Sequence, residues 1–181
     1  HDVSMAIWHT ARFDREAHTG YGWIGRALDE APTPTGKAPA SVLVGDSPTP
    51  VALRGRKAIS STFATVDELL SRNEAARTLV NVEMQTSDLA AFVRRKTLDA
   101  YATADLLENL AKSRTGDEAK YPSSTLAGRL RLVAQLIKAG IGTRVYYVVH
   151  PGYDTHSVQL PAHSRLVRDL SRSLKALLDD L

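Results

Sequence analysis

Apolar positions recur at two different periods along this chain, and the change of period marks its elements. Leu126, Leu130, Val133, Ala134 and Ile137 follow the 3.6-residue helical repeat, and Ser123-Ser-Thr125 stands ahead of them as a cap. This predicts a helix over 124–139. Gly140 suits the left-handed position after a helix, and Gly142 precedes an apolar run, Val145–Val149. Helix, short glycine turn and apolar strand together read as the second half of a βαβ unit, with Val145–Val149 expected to be the most buried strand. Pro151 and Gly152 end that strand. A last helix, 160–181, carries Leu166, Leu170, Leu174, Leu177, Leu178 and Leu181, with Pro161 in its first turn. Both helices are expected to pack against the strand.

The earlier part of the chain is less regular. Trp23, Ile24, Ala27 and Leu28 predict a short helix over 21–30, behind a loop made permissive by Gly20 and Gly22. Ser41–Val44 reads as a short strand, and Val51–Leu53 as a second one, the two forming a hairpin-like pair around Gly45–Pro50. Arg54-Gly-Arg-Lys57 is a basic turn suited to an anion or to water. Thr65-Val-Asp-Glu68 is a capping-box pattern that opens a helix over 66–80, and Thr86-Ser87-Asp88 opens another whose apolar stripe reaches Leu110. Three strand candidates and at least four helices make a thin sheet for this much helix. Residues 1–181 read as one α/β domain, with a partial sheet and flanking helices. Both ends read as cut, so an internal piece of a longer protein is expected.

Composition narrows the function classes. The 181 residues suit a single domain with a sizeable core. A net charge of +3 is too mild to point to nucleic acid, and Arg94-Arg95-Lys96 reads as a solvated helix face. The absence of cysteine excludes disulfides, thiolate zinc sites and cysteine nucleophiles. No run of about 18 apolar residues exists to span a membrane, and no stretch reads as a secretory leader. Gly36-Lys37 fails as a phosphate loop, because Ala31 and Ala38 occupy the places that need Gly and Ser or Thr.

The chemistry gathers after the last strand. Asp154, His156, Gln159 and His163 follow Pro151-Gly152 within a short stretch. Ligands of open α/β sheets bind outside the carboxyl ends of strands. Asp154 and His156, two apart, point the same way in an extended segment, and His163 in the first turn of the helix can fold back towards them. One carboxylate and two imidazoles suit Zn²⁺ or Mn²⁺, with Gln159 orienting a ligand from behind. The bland reading has Asp154 bonding local backbone after the turn and His163 capping or packing. His150 lies nearer the strand and reads as structural. His9 and His18 read as surface or helix-end histidines.

Gly152-Tyr-Asp-Thr-His-Ser-Val-Gln159 with His163 and the leucine-rich end Leu177-Leu-Asp-Asp-Leu181 resembles a bacterial family called domain of unknown function 1501. So do Leu132–Val145, Ser4–Ala11, Gly22–Asp29 and Val51–Gly55, in the expected order. That family is similar to the alkaline phosphatase and sulfatase superfamily. The resemblance implies a three-layer α/β sandwich and a metal-dependent hydrolase of phosphate or sulfate esters, exported to the periplasm, often with a twin-arginine signal. It implies Asp154 as a carboxylate ligand and His156 or His163 as an imidazole ligand of zinc, manganese or calcium, with a small anionic ester as substrate. A family nucleophile upstream and an Asp-His pair downstream are not in this chain, so the chain alone is expected to be inactive. The alternative is an envelope protein that keeps the fold for binding.

Overall fold

A computed structural model describes residues 2–13, 20–31, 39–65, 68, 120–155 and 159–181. The helices expected over 66–80 and from Thr86 onward, the Gly36-Lys37 turn and His18 lie outside the described residues. The described elements run α1 (Asp2–Thr10), α2 (Trp23–Glu30), β1 (Ser41–Val44), a 3-10 turn (Val51–Leu53), β2 (Ser60–Phe63), α3 (Thr125–Lys138), β3 (Val145–Val148) and α4 (Gln159–Asp180). The chain is therefore a mixed α/β fold around a small parallel sheet.

The sheet has the order β2-β1-β3, and β1 pairs in parallel with both neighbours. Ser41 stands opposite Ser60 and Val145, and Val44 opposite Phe63 and Val148. All three strands thus begin at one edge and end at the other. Every residue of β1 is buried, and Val42 and Val44 join Phe63, Leu132, Val133, Leu136 and Ile141 in the core. Fully burying each such side chain is worth about 1.5–3 kcal/mol. Tyr146 and Val148 of β3 pack on the margin of that core.

Three expectations are corrected here. Val51–Leu53 is a 3-10 turn and not a strand: Leu53 N–H donates to Pro50 O at 3.0 Å and Arg54 N–H to Val51 O at 2.9 Å. Three apolar residues between Pro50 and Arg54 cannot distinguish a strand from a buried turn. The second strand is Ser60–Phe63, which pairs in parallel with β1, so the connection from 45 to 59 is a crossover and not a hairpin. Val145–Val148 is half-buried throughout, and β1 is the buried strand, because β1 is central and β3 flanks it.

A further correction concerns the helices. α3 packs on β1 and β3, as expected, but α4 packs chiefly on α3. Squeezed between sheet and helix, α3 buries a wider arc than one stripe: Leu132 and Leu136 are buried and Ile137 is 40% exposed. α4 meets α3 through its small residues Ser173 and Ala176, leaving Leu174 and Leu178 exposed. Ser124 is the N-cap of α3, its hydroxyl accepting from Ala127 N–H at 3.2 Å, and Gly140 takes the left-handed backbone (φ 62°) that ends it. Where α3 and α4 finish, Lys138 pairs with Asp180, which also accepts from the Tyr121 hydroxyl at 3.0 Å. The Lys138 bond, outweighing burial and aided by Tyr121, holds Asp180 below the usual carboxylate range.

The amino edge of the sheet is fastened by α2. Gly25 lies against the backbone of Arg54 and Gly55, so close that a Cβ would stand 2.2 Å from the Arg54 carbonyl. Gly22 N–H donates to Arg54 O at 2.9 Å. One turn beyond Gly25, Asp29 accepts from the amides of Arg56 (2.6 Å), Lys57 (2.8 Å) and Ala58 (2.6 Å). The basic turn does face an anion, and the anion is this side chain. Burial works against ionisation of Asp29, but the three amides and the Lys57 charge hold its carboxyl low. The packing side of α2 is thus its glycine line, and Trp23 is exposed, contrary to its place in the predicted apolar stripe.

Candidate functional site

The carboxyl edge is built from the ends of the same three strands. β1 runs out through Val44 into Gly45 and Asp46, and β3 through Val148 into His150. α3 returns to this edge, where Arg129 ties the two exits together. Its Nη1 donates to Val149 O at 2.9 Å and its Nη2 to Asp46 Oδ2 at 2.7 Å. Arg129 is 14% exposed and Asp46 75%, so the cation is set into the edge and the carboxylate stands in water.

After β3 the chain turns at Gly152, whose φ of 100° is costly for any residue with a Cβ. The turn lies over α4: a Cβ at Gly152 would meet Leu166 Cδ2 at 3.6 Å. On one side of that contact, the Tyr153 and His163 rings meet edge to face with centroids 6.1 Å apart. On the other, His150 Nε2 lies 3.5 Å from Asp169 Oδ2. His150 Nδ1 shares a 3.0 Å hydrogen bond with the Tyr153 hydroxyl, and those two rings also meet edge to face at 5.3 Å. His163, Leu166 and Asp169 are spaced three residues apart on α4, which puts them in a line along one face. The loop is laid along that line.

Each predicted site residue can now be placed. Asp154 is exposed on the loop just past β3. His163 is exposed at the start of the second turn of α4, not in the first, and Tyr153 brings it to the loop. Gln159 is the exposed first residue of α4. His156 lies outside the described residues. Among the described residues no group of three or more Asp, Glu or His is placed to hold a metal ion. Asp154 and His163 have suitable donor chemistry, but with His150 Nδ1 bonded to Tyr153 and its Nε2 facing Asp169 they do not by themselves make a ligand set.

The sequence reading passed over Arg129, Asp46, Tyr153 and Asp169. Nothing local marks Arg129 or Asp46, which stand 83 positions apart and meet only through the fold. Tyr153 sits beside Asp154 and could have been noticed, and the relation of His150 to Asp169 depends on how the loop lies on α4. No described helix is long and apolar enough to cross a membrane.

Neither a curated protein nor a solved structure matches this chain. The model of one family, described as protein of unknown function (DUF1501), matches residues 5–181, and the chain belongs to that family.

Proposed function

We propose that this chain supplies one side of a metal-dependent hydrolase site for phosphate or sulfate esters, at the carboxyl edge of the parallel sheet. The observation that supports this reading most is the loop after β3: it leaves the strand at the edge where α/β sheets take their ligands, and it carries exposed Asp154 beside a helix that presents exposed His163. Asp154 is the proposed carboxylate ligand, and His156 or His163 the imidazole ligand, of zinc, manganese or calcium. A bound divalent ion would polarise the ester oxygen or lower the pKa of water. Export to the periplasm belongs to the same proposal and rests on the family resemblance alone.

The rival reading, an envelope protein that uses the fold for binding without catalysis, is favoured by one observation. Arg129, the cation set into the edge, is tied to backbone and to Asp46 and so is already neutralised.

The test is metal content and ester hydrolysis in the full-length protein, with Asp154→Asn as the variant. The hydrolase reading predicts bound zinc or manganese, turnover of an aryl phosphate or aryl sulfate, and loss of both in the variant. Equal metal content in parent and variant would remove Asp154 from the ligand set. Ligand binding without turnover would give the rival reading the case.

A further inference from the structure

We infer that Asp169, His150 and Tyr153 form a positioning relay that fixes the loop carrying Asp154 in register on α4. Three contacts in a row join loop and helix: Tyr153 to His163, Gly152 to Leu166, and His150 to Asp169. The middle contact is apolar and tolerates sliding. The outer two are directional: His150 makes one itself, and through its bond to Tyr153 it bears on the other. One of its ring nitrogens faces a carboxylate on the helix and the other a hydroxyl on the loop.

The partners dictate the tautomer of the neutral ring. Nε2 faces the Asp169 carboxylate at 3.5 Å, and a carboxylate only accepts, so the proton is placed on Nε2 in this proposal. Nδ1 then accepts from the Tyr153 hydroxyl. Such a chain, in which a carboxylate orients an imidazole that in turn holds a third group, fixes ring orientation through both nitrogens. The His150 side chain is 15% exposed and that of Asp169 25%, so water competes less for these bonds than it would on an open surface. Tyr153 immediately precedes Asp154, and its ring edge meets His163, so fixing Tyr153 fixes the spacing of both proposed site residues. His150 is thus more than the structural histidine that its position near the strand suggests. The role in arranging a functional site rests on the hydrolase reading; the relay itself does not.

The experiment is NMR of the imidazole nitrogens and of amide exchange in the full-length protein, with Tyr153→Phe, Asp169→Asn and His150→Ala. In the parent, His150 is expected as the Nε2–H tautomer with Nδ1 unprotonated. Tyr153→Phe removes only the hydroxyl, and it should shift the Nδ1 signal of His150 and the ring signals of His163. His150→Ala should speed exchange of amides in 152–155 about tenfold, the equivalent of one lost hydrogen bond, with α3 unchanged. A merely structural histidine would not impose that tautomer or carry the change on to His163. A parent with the Nδ1–H tautomer, or His163 signals unmoved in both Tyr153→Phe and Asp169→Asn, would overturn the relay. Hydrolysis separates this from the larger reading. Turnover in the parent with unchanged kcat and KM in all three variants sinks the positioning role and spares the hydrolase. A parent without turnover sinks the hydrolase, and the relay then stands or falls on tautomer and exchange.

Discussion

The two edges of the sheet are fastened by different means. At the amino edge the fastening engages the backbone. Asp29 takes three successive amides, Gly25 lets α2 touch the Arg54–Gly55 backbone, and Thr143 donates to Pro39 O at 2.9 Å. At the carboxyl edge the named links are made by charged and ring side chains at the rim: Arg129 to Asp46 and Val149 O, His150 to Tyr153 and towards Asp169. A backbone lock leaves little to vary without breaking the fold. Side-chain links on exposed loops can be exchanged at small cost, and such loops on a rigid scaffold are where binding and catalysis concentrate. The difference gives stability to one edge and leaves the other to the proposed site.

Mutations at the amino edge should therefore unfold, and those at the carboxyl edge should not. The largest effect is expected from Gly25→Ala. Its methyl would overlap the Arg54 carbonyl at 2.2 Å, a clash with backbone that only displacement of α2 relieves. Denaturant unfolding should show a loss of about 3 kcal/mol or more. If Gly25→Ala keeps parental stability, the close approach is not a constraint on the fold.

Asp29→Ala comes next. It leaves three amides without their acceptor, two of them exposed enough to recruit water, so a loss of about 1–3 kcal/mol is expected. The sign of the pH dependence follows. The folded carboxyl is held below its unfolded value of about 3.9, so its contribution is present above that pH and fades as pH falls through the lower folded value. The stability gap between parent and Asp29→Ala should narrow on acidification below about pH 4. A gap that widened there would contradict the amide lock.

Tyr121→Phe should cost less, about 1 kcal/mol, since it removes one hydrogen bond to Asp180 and leaves the Lys138 pair in place. Burial and the neighbouring Asp180 carboxylate push the Tyr121 phenol up, so this tyrosine should resist ionisation in an alkaline absorbance titration until the protein unfolds. The smallest stability effect is expected from Asp154→Asn, within about 0.5 kcal/mol, because the residue is exposed on a loop. A large loss there would place Asp154 in the scaffold instead of the site.

What could be read from the sequence divides along physical lines. α3, its Ser124 cap, its Gly140 stop and the strand after it were legible, because periodicity and capping are local. The Thr65 capping box was legible too: Thr65 Oγ1 accepts from Glu68 N–H at 3.2 Å, and Glu68 reaches back to Ala64 N–H at 2.7 Å. β2 was not, since Ser60-Ser-Thr-Phe63 has one large apolar residue and its strand character comes from pairing with β1. The turn at Val51–Leu53 has the apolar residues of a strand, and its contacts with α1 and α2, distant in sequence, decide its shape. At the proposed site, the place of Asp154 just past a strand and of His163 on the following helix was legible, and both are exposed there. Arg129, Asp169 and the double engagement of His150 were not, because each depends on partners far away in the chain.

The most direct test of this division is a map of ligand-induced shifts. Zinc, and then an aryl phosphate, would be titrated into the isotope-labelled full-length protein while backbone and imidazole signals are followed. The account predicts changes concentrated at 45–46, 149–155 and 159–163, with 39–41, 56–60 and 143–145 still. Shifts centred on the amino edge, or none at either edge with both ligands, would contradict it.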